Sequence, residues 1–239
     1  MMKLIKIYIA AILTLFMVNS SVAADSALNQ ILSSGVLKAG TTGDFYPFSK
    51  RDTATNSYEG YDIDILNELA KDLGVEIEFV STTWATLVNG ITAEKYHVTG
   101  SASIKASRMK ASGFSDPYTA VVTKAYTTND KISRFNGWDS INQPNVKVAT
   151  TLGTSFETQV DNWFTNAEIT KVAAPARGFQ EVLVGRSDVF VTSNIEGGTL
   201  LVKYPQLREI PVEAPRAPVP LAMLCLLYTS DAADEEDSV

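Results

Sequence analysis

The chain has 239 residues, a formal net charge of −7 at pH 7, one histidine and one cysteine. This length accommodates one large domain or two small ones. The acidic balance argues against a nucleic-acid-binding protein, and a single cysteine excludes both an internal disulfide and a thiolate zinc site.

The first element has the pattern of a secretory signal peptide. Lys3 and Lys6 precede an apolar run over residues 7–18, and the small residues of SVAAD follow that run. The alternative is a membrane anchor, but the apolar run is shorter than a membrane span requires. We therefore expect residues 1–24 to be cleaved during export to the periplasm.

Strand and helix patterns then alternate along the chain. The predicted strands cover residues 35–42, 75–81, 96–103 and 120–128, and the predicted helices cover residues 61–74, 83–95 and 107–112. Residues 146–164 indicate a strand, a glycine loop and a helix, and residues 179–205 indicate a helix, a strand and a helix. Repeated strand–helix units predict an α/β fold with largely parallel sheets, whose ligands bind beyond the carboxyl ends of the strands.

The last segment, residues 225–239, carries no helix or strand pattern. Its first part, CLLYTSDAADE, matches the translation of one frame of a common sequencing adapter. We therefore expect the natural sequence to end near Leu224 and residues 225–239 to be adapter read-through. The alternative is a disordered acidic tail.

Several stretches between these ends carry a family resemblance. They are GVLKAGTTGDFYPFS, GYDIDILNELAKDLG, TTWATLVNGI, GSASIKASRMKASGFSDPY, LGTSFE and GRSDVFVTSNIE. Together they resemble the periplasmic solute-binding proteins (family 3) that capture amino acids for ABC importers. Within that family, TTGDFYPF followed by TTWATLV is similar to the cyclohexadienyl dehydratase branch, whose members act on prephenate and arogenate.

This resemblance implies an α/β, two-lobed type II periplasmic-binding-protein fold in which the C-terminal part of lobe 1 is truncated. Lobe 1 would cover residues 25–126 and lobe 2 residues 127–214. Residues 215–224 would form the return hinge to lobe 1, and residues 225–239 the read-through.

Arg108, Ser101 and Ser103 are the predicted grip on a ligand carboxylate. A carboxylate that is buried under a closing lobe needs a planar, two-pronged donor, and an arginine supplies one while it stays charged. Hydroxyl groups can donate to the same oxygens. By resemblance, Arg108 and Ser103 bind the carboxylate; the alternative for Arg108 is a surface arginine on a solvated helix.

Two further pairs of residues complete the predicted binding site. Thr154 and Ser155 stand at a helix start, where free N–H groups favour an anion, although Thr154 and Glu157 also fit a capping box. Phe45 and Trp84 match positions where the family stacks an aromatic ring on the ligand; the alternative is core packing.

Ser193 and Glu196 depart from the pattern of the amino-acid receptors. Those receptors usually place an aspartate where Ser193 stands, and the dehydratases carry an acidic general acid where Glu196 stands. Loss of hydroxide and carbon dioxide from prephenate needs a proton donor, which a glutamic acid with a raised pKa can supply. The alternative is a capping box of Ser193 and Glu196, with Thr192 and Asn194 as neighbours.

The resemblance implies a periplasmic solute receptor as the first function, because that role is the commoner one on this fold. Its partners would be a small carboxylate ligand and an ABC permease of the inner membrane, and it would be a monomer without nucleic-acid binding. The alternative is a dehydratase, a carbon–oxygen lyase that uses Glu196. The sequence predicts no cofactor and no metal, since His97 has no cluster of ligating side chains near it in the sequence.

Overall fold

The computed structural model describes residues 26–213 and 218–227. The predicted signal peptide, most of the predicted read-through and the first part of the predicted return hinge lie outside these residues.

The first half of the described chain alternates between strands and short helices. Its elements are α1 (Ala27–Ser34), β1 (Val36–Thr41), β2 (Asp44–Phe45), β3 (Ser49–Arg51), β4 (Tyr58–Glu59), α2 (Tyr61–Leu73), β5 (Glu76–Ser81), α3 (Leu87–Thr92), β6 (Val98–Ser103), α4 (Ala106–Met109), β7 (Ser112–Phe114) and β8 (Thr119–Val121).

The second half repeats this alternation and ends in a long strand. Its elements are β9 (Thr123–Thr128), α5 (Trp138–Ile141), β10 (Lys147–Thr151), α6 (Ser155–Trp163), β11 (Glu168–Val172), α7 (Gly178–Leu183), β12 (Val189–Ser193), α8 (Asn194–Lys203), β13 (Leu207–Glu209) and β14 (Val219–Leu226).

Two mixed sheets organise the molecule, and we call each sheet with its helices a lobe. The sheet of lobe 1 has the order β5-β1-β6-β14-β7, with β8 paired to β14. The sheet of lobe 2 has the order β11-β10-β12-β9-β13. In each lobe the first three strands of this order run parallel, and β14 or β9 is antiparallel to its neighbours. The antiparallel strands correct the expectation of largely parallel sheets.

The chain passes between the lobes at a break in the long strand that was predicted over residues 120–128. The part that ends at Val121 pairs in lobe 1, and the part that begins at Thr123 pairs in lobe 2. The strand β14 then lies in the lobe 1 sheet and continues to Leu226, two residues beyond Leu224, the predicted end of the natural sequence. The lobe boundaries inferred from the sequence stay predictions.

The helix predicted over residues 83–95 is confined to α3, for local reasons. The hydroxyl groups of Thr83 and Thr86 each accept a hydrogen bond from the other's backbone N–H, at 3.3 and 3.2 Å. Such side-chain bonds compete with helix formation before the first turn. At the other end Glu94 has a φ of 53°, a left-handed conformation that a right-handed helix cannot include.

Each lobe has an apolar core of its own beside its sheet. In lobe 2, Val148 and Val191 of the sheet pack with Val160 of α6 and Trp138 of α5. In lobe 1, Leu37 of the sheet packs with Leu66 and other apolar residues of α2. Within the described residues, no helix is both long and apolar enough to cross a membrane.

Candidate ligand-binding site

A cavity lies between the two lobes, beyond the carboxyl ends of β1, β6, β10 and β12. Its lining includes seven of the predicted site residues: Phe45, Trp84, Ser101, Ser103, Thr154, Ser155 and Glu196. Asp44, Thr151, Phe156, Arg177, Thr192 and Leu221 complete the lining. The structure therefore brings most of the predicted site together, and Arg108 and Ser193 stand outside this lining.

Arg108 is buried where the two lobes meet, with 2% of its surface exposed. One terminal nitrogen donates to the Ser103 carbonyl at 3.1 Å and lies 3.4 Å from the Ser103 hydroxyl. The other donates to the Gly153 carbonyl of lobe 2 at 3.2 Å. Burial lowers the pKa of the Arg108 guanidinium to about 10, so it stays charged at neutral pH. The alternative of a solvated surface arginine is therefore wrong.

The start of α6 closes the lobe 2 side of this region. The Thr154 hydroxyl accepts the Glu157 N–H at 3.3 Å and donates to the Thr151 carbonyl at 2.7 Å. The Glu157 carboxylate accepts the Gly153 N–H at 2.6 Å. Thr154 is thus a helix cap, and its one hydroxyl proton is committed to a carbonyl. The buried Ser155 hydroxyl has no protein partner and is free to bind a solute in the cavity.

Phe45 and Trp84 pack against neighbouring aromatic rings, and stacking of either ring on a ligand stays a prediction. Their rings meet edge to face, with centroids 5.7 Å apart, and Phe45 stacks on Phe48 at 4.9 Å. Both rings also line the cavity. The Trp84 indole N–H donates to the Asp44 carboxylate at 2.9 Å, which fixes the indole against the cavity wall.

Arg177, which the sequence analysis did not identify, joins the two acidic residues of the cavity. It stands just before α7 and donates to the Glu196 carboxylate and to the Asp44 carbonyl. The same guanidinium lies 3.5 Å from the Asp44 carboxylate. Arg177 follows AAPA, a stretch with no recognised motif; its place just before the helix predicted to begin at residue 179 was the available signal.

Glu196 is a buried carboxylic acid in the cavity wall. It accepts hydrogen bonds from Arg177 and from the Thr192 hydroxyl. Burial raises the pKa of the Glu196 carboxyl above its usual range, although Arg177 acts in the opposite direction. Glu196 therefore keeps its proton up to a higher pH than an exposed glutamic acid does.

Ser193 caps α8 and does not line the cavity. Its hydroxyl accepts the Glu196 N–H at 3.0 Å, and the residue is fully buried. The Glu196 side chain does not complete a capping box, because it turns toward Arg177 and Thr192. Among the described residues that line the cavity, Asp44 and Glu196 carry the carboxyl groups.

No group of three or more metal-ligating side chains occurs within residues 26–213 and 218–227. The His97 imidazole accepts the Lys38 N–H at 3.0 Å through Nδ1, and burial lowers its pKa. It has a structural role beside β1.

Comparisons with known proteins identify the family pattern over most of the chain. Residues 37–204 match the bacterial extracellular solute-binding proteins, family 3. The chain is 30% identical over 212 residues to the cyclohexadienyl dehydratase of Pseudomonas aeruginosa, an alignment that covers 88% of this chain and 78% of that protein. It is 35% identical over 103 residues to the L-cystine-binding protein TcyA of Bacillus subtilis, covering 42% of this chain and 38% of that one.

Solved structures confirm the two-lobed α/β fold. The ancestral amino acid-binding protein AncCDT-1, a precursor of cyclohexadienyl dehydratase, superposes with a TM-score of 0.77 at 32% identity over 84% of this chain and 86% of that one. The arginine-bound, truncated ArgBP of T. maritima superposes with a TM-score of 0.76 at 24% identity, over 83% of this chain and 91% of that one, a likeness of fold.

Proposed function

Because the chain belongs to family 3 of the bacterial extracellular solute-binding proteins, we propose that it is a periplasmic receptor for a small, carboxylate-bearing, amino-acid-like solute. It would be exported by its N-terminal signal peptide, act as a monomer, and deliver the solute to an ABC permease. Relatives and structural neighbours with amino-acid-binding names support the class of solute.

The observation that carries this proposal is the distribution of polar groups around the cavity. The lining carries the hydroxyl groups of Ser101, Ser103 and Ser155, and the Arg108 cation contacts Ser103 from outside the lining. The lining also carries the carboxyl groups of Asp44 and Glu196, which Arg177 joins. Donors near a cation suit a carboxylate, and carboxyl groups suit an ammonium group. The cavity thus offers a partner for each charged end of an amino acid.

Contacts across the cleft explain how closure would retain the solute. The Lys105 ammonium of lobe 1 donates to the Gly153 and Thr154 carbonyls of lobe 2, each at 3.3 Å. Arg177 of lobe 2 reaches Asp44 of lobe 1. A solute that contacts both lobes would favour this closed arrangement by a shift in population.

Thermal shifts test the receptor. The purified protein is heated with each of the common L-amino acids and, in parallel, with the corresponding amino-acid amides. We expect at least one amino acid to raise the Tm and its amide, which lacks the carboxylate, to raise it far less. Equal shifts with the acid and the amide, or no shift with any amino acid, would contradict a carboxylate-dependent receptor.

The second candidate function is a cyclohexadienyl dehydratase, and Glu196 is the observation that favours it. A buried carboxylic acid that holds its proton could give it to the leaving hydroxyl of prephenate, which departs as water. The ring carboxylate would leave as carbon dioxide, and its bonding electrons would complete the aromatic ring of phenylpyruvate. The alignment with a protein of this activity covers Glu196 and the rest of the site.

Phenylpyruvate absorbance after addition of prephenate tests this second candidate. If the protein is a dehydratase, turnover disappears in Glu196→Gln and persists in Glu68→Gln, a matched change at an exposed position on α2. If it is a receptor only, the unmodified protein shows no turnover while amino acids still raise its Tm.

A further inference from the structure

A buried chain of hydrogen bonds runs from α2 to the wall of the cavity. The Tyr118 hydroxyl donates to the Asp62 carboxylate at 2.7 Å and accepts the Ser101 N–H at 2.5 Å. The same hydroxyl lies 3.4 Å from the Ser101 hydroxyl, which lines the cavity. Asp62 and Ser101 are 5% and 2% exposed. An ionisable group thus communicates with a ligand-facing hydroxyl through Tyr118, and the Ser101 side chain also acts on the Asp62 carboxyl directly.

The backbone around these hydrogen bonds brings Asp62, Tyr118 and Ser101 together. A Cβ at Gly100 would lie 2.6 Å from the Asp62 carboxyl carbon, so the strand approaches the carboxylate more closely than other residues permit. Ser101 has a φ of 48°, an uncommon conformation for a residue with a side chain. The bond from its N–H to Tyr118 holds that conformation and sets the direction of the Ser101 side chain.

Asp62 is the member of the chain that changes protonation near neutral pH. Burial raises the pKa of Asp62 to about 6, against the opposing hydrogen bonds from Tyr118 and Ser101. Burial also raises the pKa of Tyr118 above its usual range, so the tyrosine keeps its proton. A small cavity beside Asp62 is otherwise lined by apolar groups, glycines and hydroxyls, and among these described lining residues Asp62 alone is ionisable.

The two protonation states of Asp62 place the protons of the chain differently. An ionised Asp62 only accepts, so the Tyr118 proton points to it and the tyrosine oxygen accepts from both the N–H and the hydroxyl of Ser101. A protonated Asp62 donates to the Tyr118 oxygen. The Tyr118 proton then turns toward the Ser101 oxygen, and the Ser101 proton is released to point into the cavity.

We propose that Asp62 is a positioning residue of the binding site, which acts through Tyr118 to decide whether the Ser101 hydroxyl donates to a solute carboxylate. This inference deepens the proposed function and rests on it for the identity of the solute group. It assigns to Asp62 and Tyr118, which do not line the main cavity, control over one of the donors that do.

The hydrogen-bonded chain is tested without any solute. Its readout is the amide resonance of Ser101 in nitrogen-15 NMR spectra of the full protein between about pH 5 and about pH 8. We expect this resonance to shift with a midpoint near the Asp62 pKa of about 6. The shift should vanish in Asp62→Asn, be much reduced in Tyr118→Phe, and persist in Asp64→Asn, a matched change at an exposed position of the same helix. A Ser101 amide that does not titrate, or that titrates equally in Asp62→Asn, would overturn the proposal.

The consequence for binding is tested by calorimetric titration with L-arginine, L-cystine and L-lysine, whose charges stay constant over most of this range, at both ends of this pH range. For any of the three that binds, we expect affinity to rise roughly 3- to 10-fold at the lower pH, the effect of one added donor. Tyr118→Phe should lose most of that gain, and Asp64→Asn should keep it. An equal gain in Tyr118→Phe would overturn the link from Asp62 to Ser101 through the tyrosine. Failure of these three probes and of every amino acid in the thermal-shift screen to bind, with a titrating Ser101 amide, would contradict the amino-acid receptor and leave the hydrogen-bonded chain established.

Discussion

Arg108 makes contacts that a lysine cannot reproduce. Its guanidinium donates through two separate nitrogens to the carbonyls of Ser103 and Gly153, which belong to different lobes. A lysine ammonium at the same position is a single compact charge with a different reach. The residue therefore contributes both positive charge and a fixed geometry to the closed site.

The first prediction is that Arg108→Lys weakens amino-acid binding by about tenfold or more, because charge-assisted bonds of the planar group are lost. Isothermal titration calorimetry measures the effect. Arg186→Lys, at an exposed arginine paired only within lobe 2, is the control and should bind normally. An unchanged affinity in Arg108→Lys would remove Arg108 from the binding site.

Asp62 makes the stability of the protein depend on pH in a direction opposite to that of most ion-paired carboxylates. Its folded-state pKa of about 6 lies above the ordinary value of 3.8, so between these values the folded state binds more protons than the unfolded state. The free energy of unfolding therefore falls as pH rises through this window, by up to about 3 kcal/mol from this group.

The second prediction is that Asp62→Asn abolishes this contribution. The difference in free energy of unfolding between the unmodified protein and Asp62→Asn, measured by urea unfolding, should shift in favour of the variant as pH rises from about 4 to about 6. Asp64→Asn should show no such change. A difference that is constant across this range would mean that Asp62 has an ordinary pKa in the folded protein.

Individual site residues differed in how far the sequence could predict them. Ser155 was predictable because a glycine loop before a helix start is a local pattern. Arg177 was not, because its role depends on Asp44, which is distant in sequence and lies in the other lobe, and on Glu196 of the next helix along the chain. Ser193 caps α8 and does not line the cavity. The spacing of residues in the sequence fits both a capping serine and a ligand-binding serine and does not distinguish them.

Among the structural elements, the loop between β10 and α6 shows how little space separates the lobes. Gly153 has a φ of 83°, and a Cβ on it would lie 2.4 Å from the Ala85 nitrogen and 2.5 Å from the Trp84 carbonyl carbon. Ala85 and Trp84 belong to lobe 1. Only glycine therefore allows the loop to approach lobe 1 as closely as it does.

The third prediction is that Gly153→Ala obstructs closure and weakens amino-acid binding by about tenfold or more, since backbone atoms cannot move aside as a flexible side chain can. Gly185→Ala is the matched control, because Gly185 has a similar φ of 78° and open space around its Cβ position. Both variants bear the cost of the left-handed backbone, and only Gly153→Ala should lose affinity. Equal affinities in the two variants would contradict a closed binding state.

Long elements with a clear hydrophobic periodicity were predicted well. Short strands whose conformation depends on pairing within a sheet were not. The helix α2 covers Tyr61–Leu73 and is capped by Gly74, close to the predicted range of residues 61–74. The strands β11 and β13 escaped prediction, because their burial alternates weakly and their strand conformation depends on pairing with β10 and β9. The same reason explains why β14 extends into the segment predicted as read-through: its neighbours β6 and β7 offer partners to Cys225.

At the scale of the whole molecule, two separately cored lobes meet through a small number of polar contacts. Arg108 and Lys105 reach across from lobe 1, and Arg177 reaches across from lobe 2. A mixed apolar cluster joins them, in which Phe156 of lobe 2 packs with Phe45 and other residues of lobe 1. Because these contacts are few, the lobes can separate without loss of either core.

The fourth prediction concerns Arg177, which lies at the centre of this interface. Arg177→Leu removes the contact with Asp44 and leaves the Glu196 carboxyl without its cationic partner, so we expect the lobes to separate more readily. Small-angle X-ray scattering should give a larger radius of gyration for Arg177→Leu than for the unmodified protein, and amino acids should no longer reduce it. Arg186→Leu removes an exposed charge from the same lobe without touching lobe 1 and should leave the radius unchanged. Equal radii for Arg177→Leu and Arg186→Leu, with normal amino-acid binding in both, would show that the apolar cluster alone sets the balance between the open and closed arrangements.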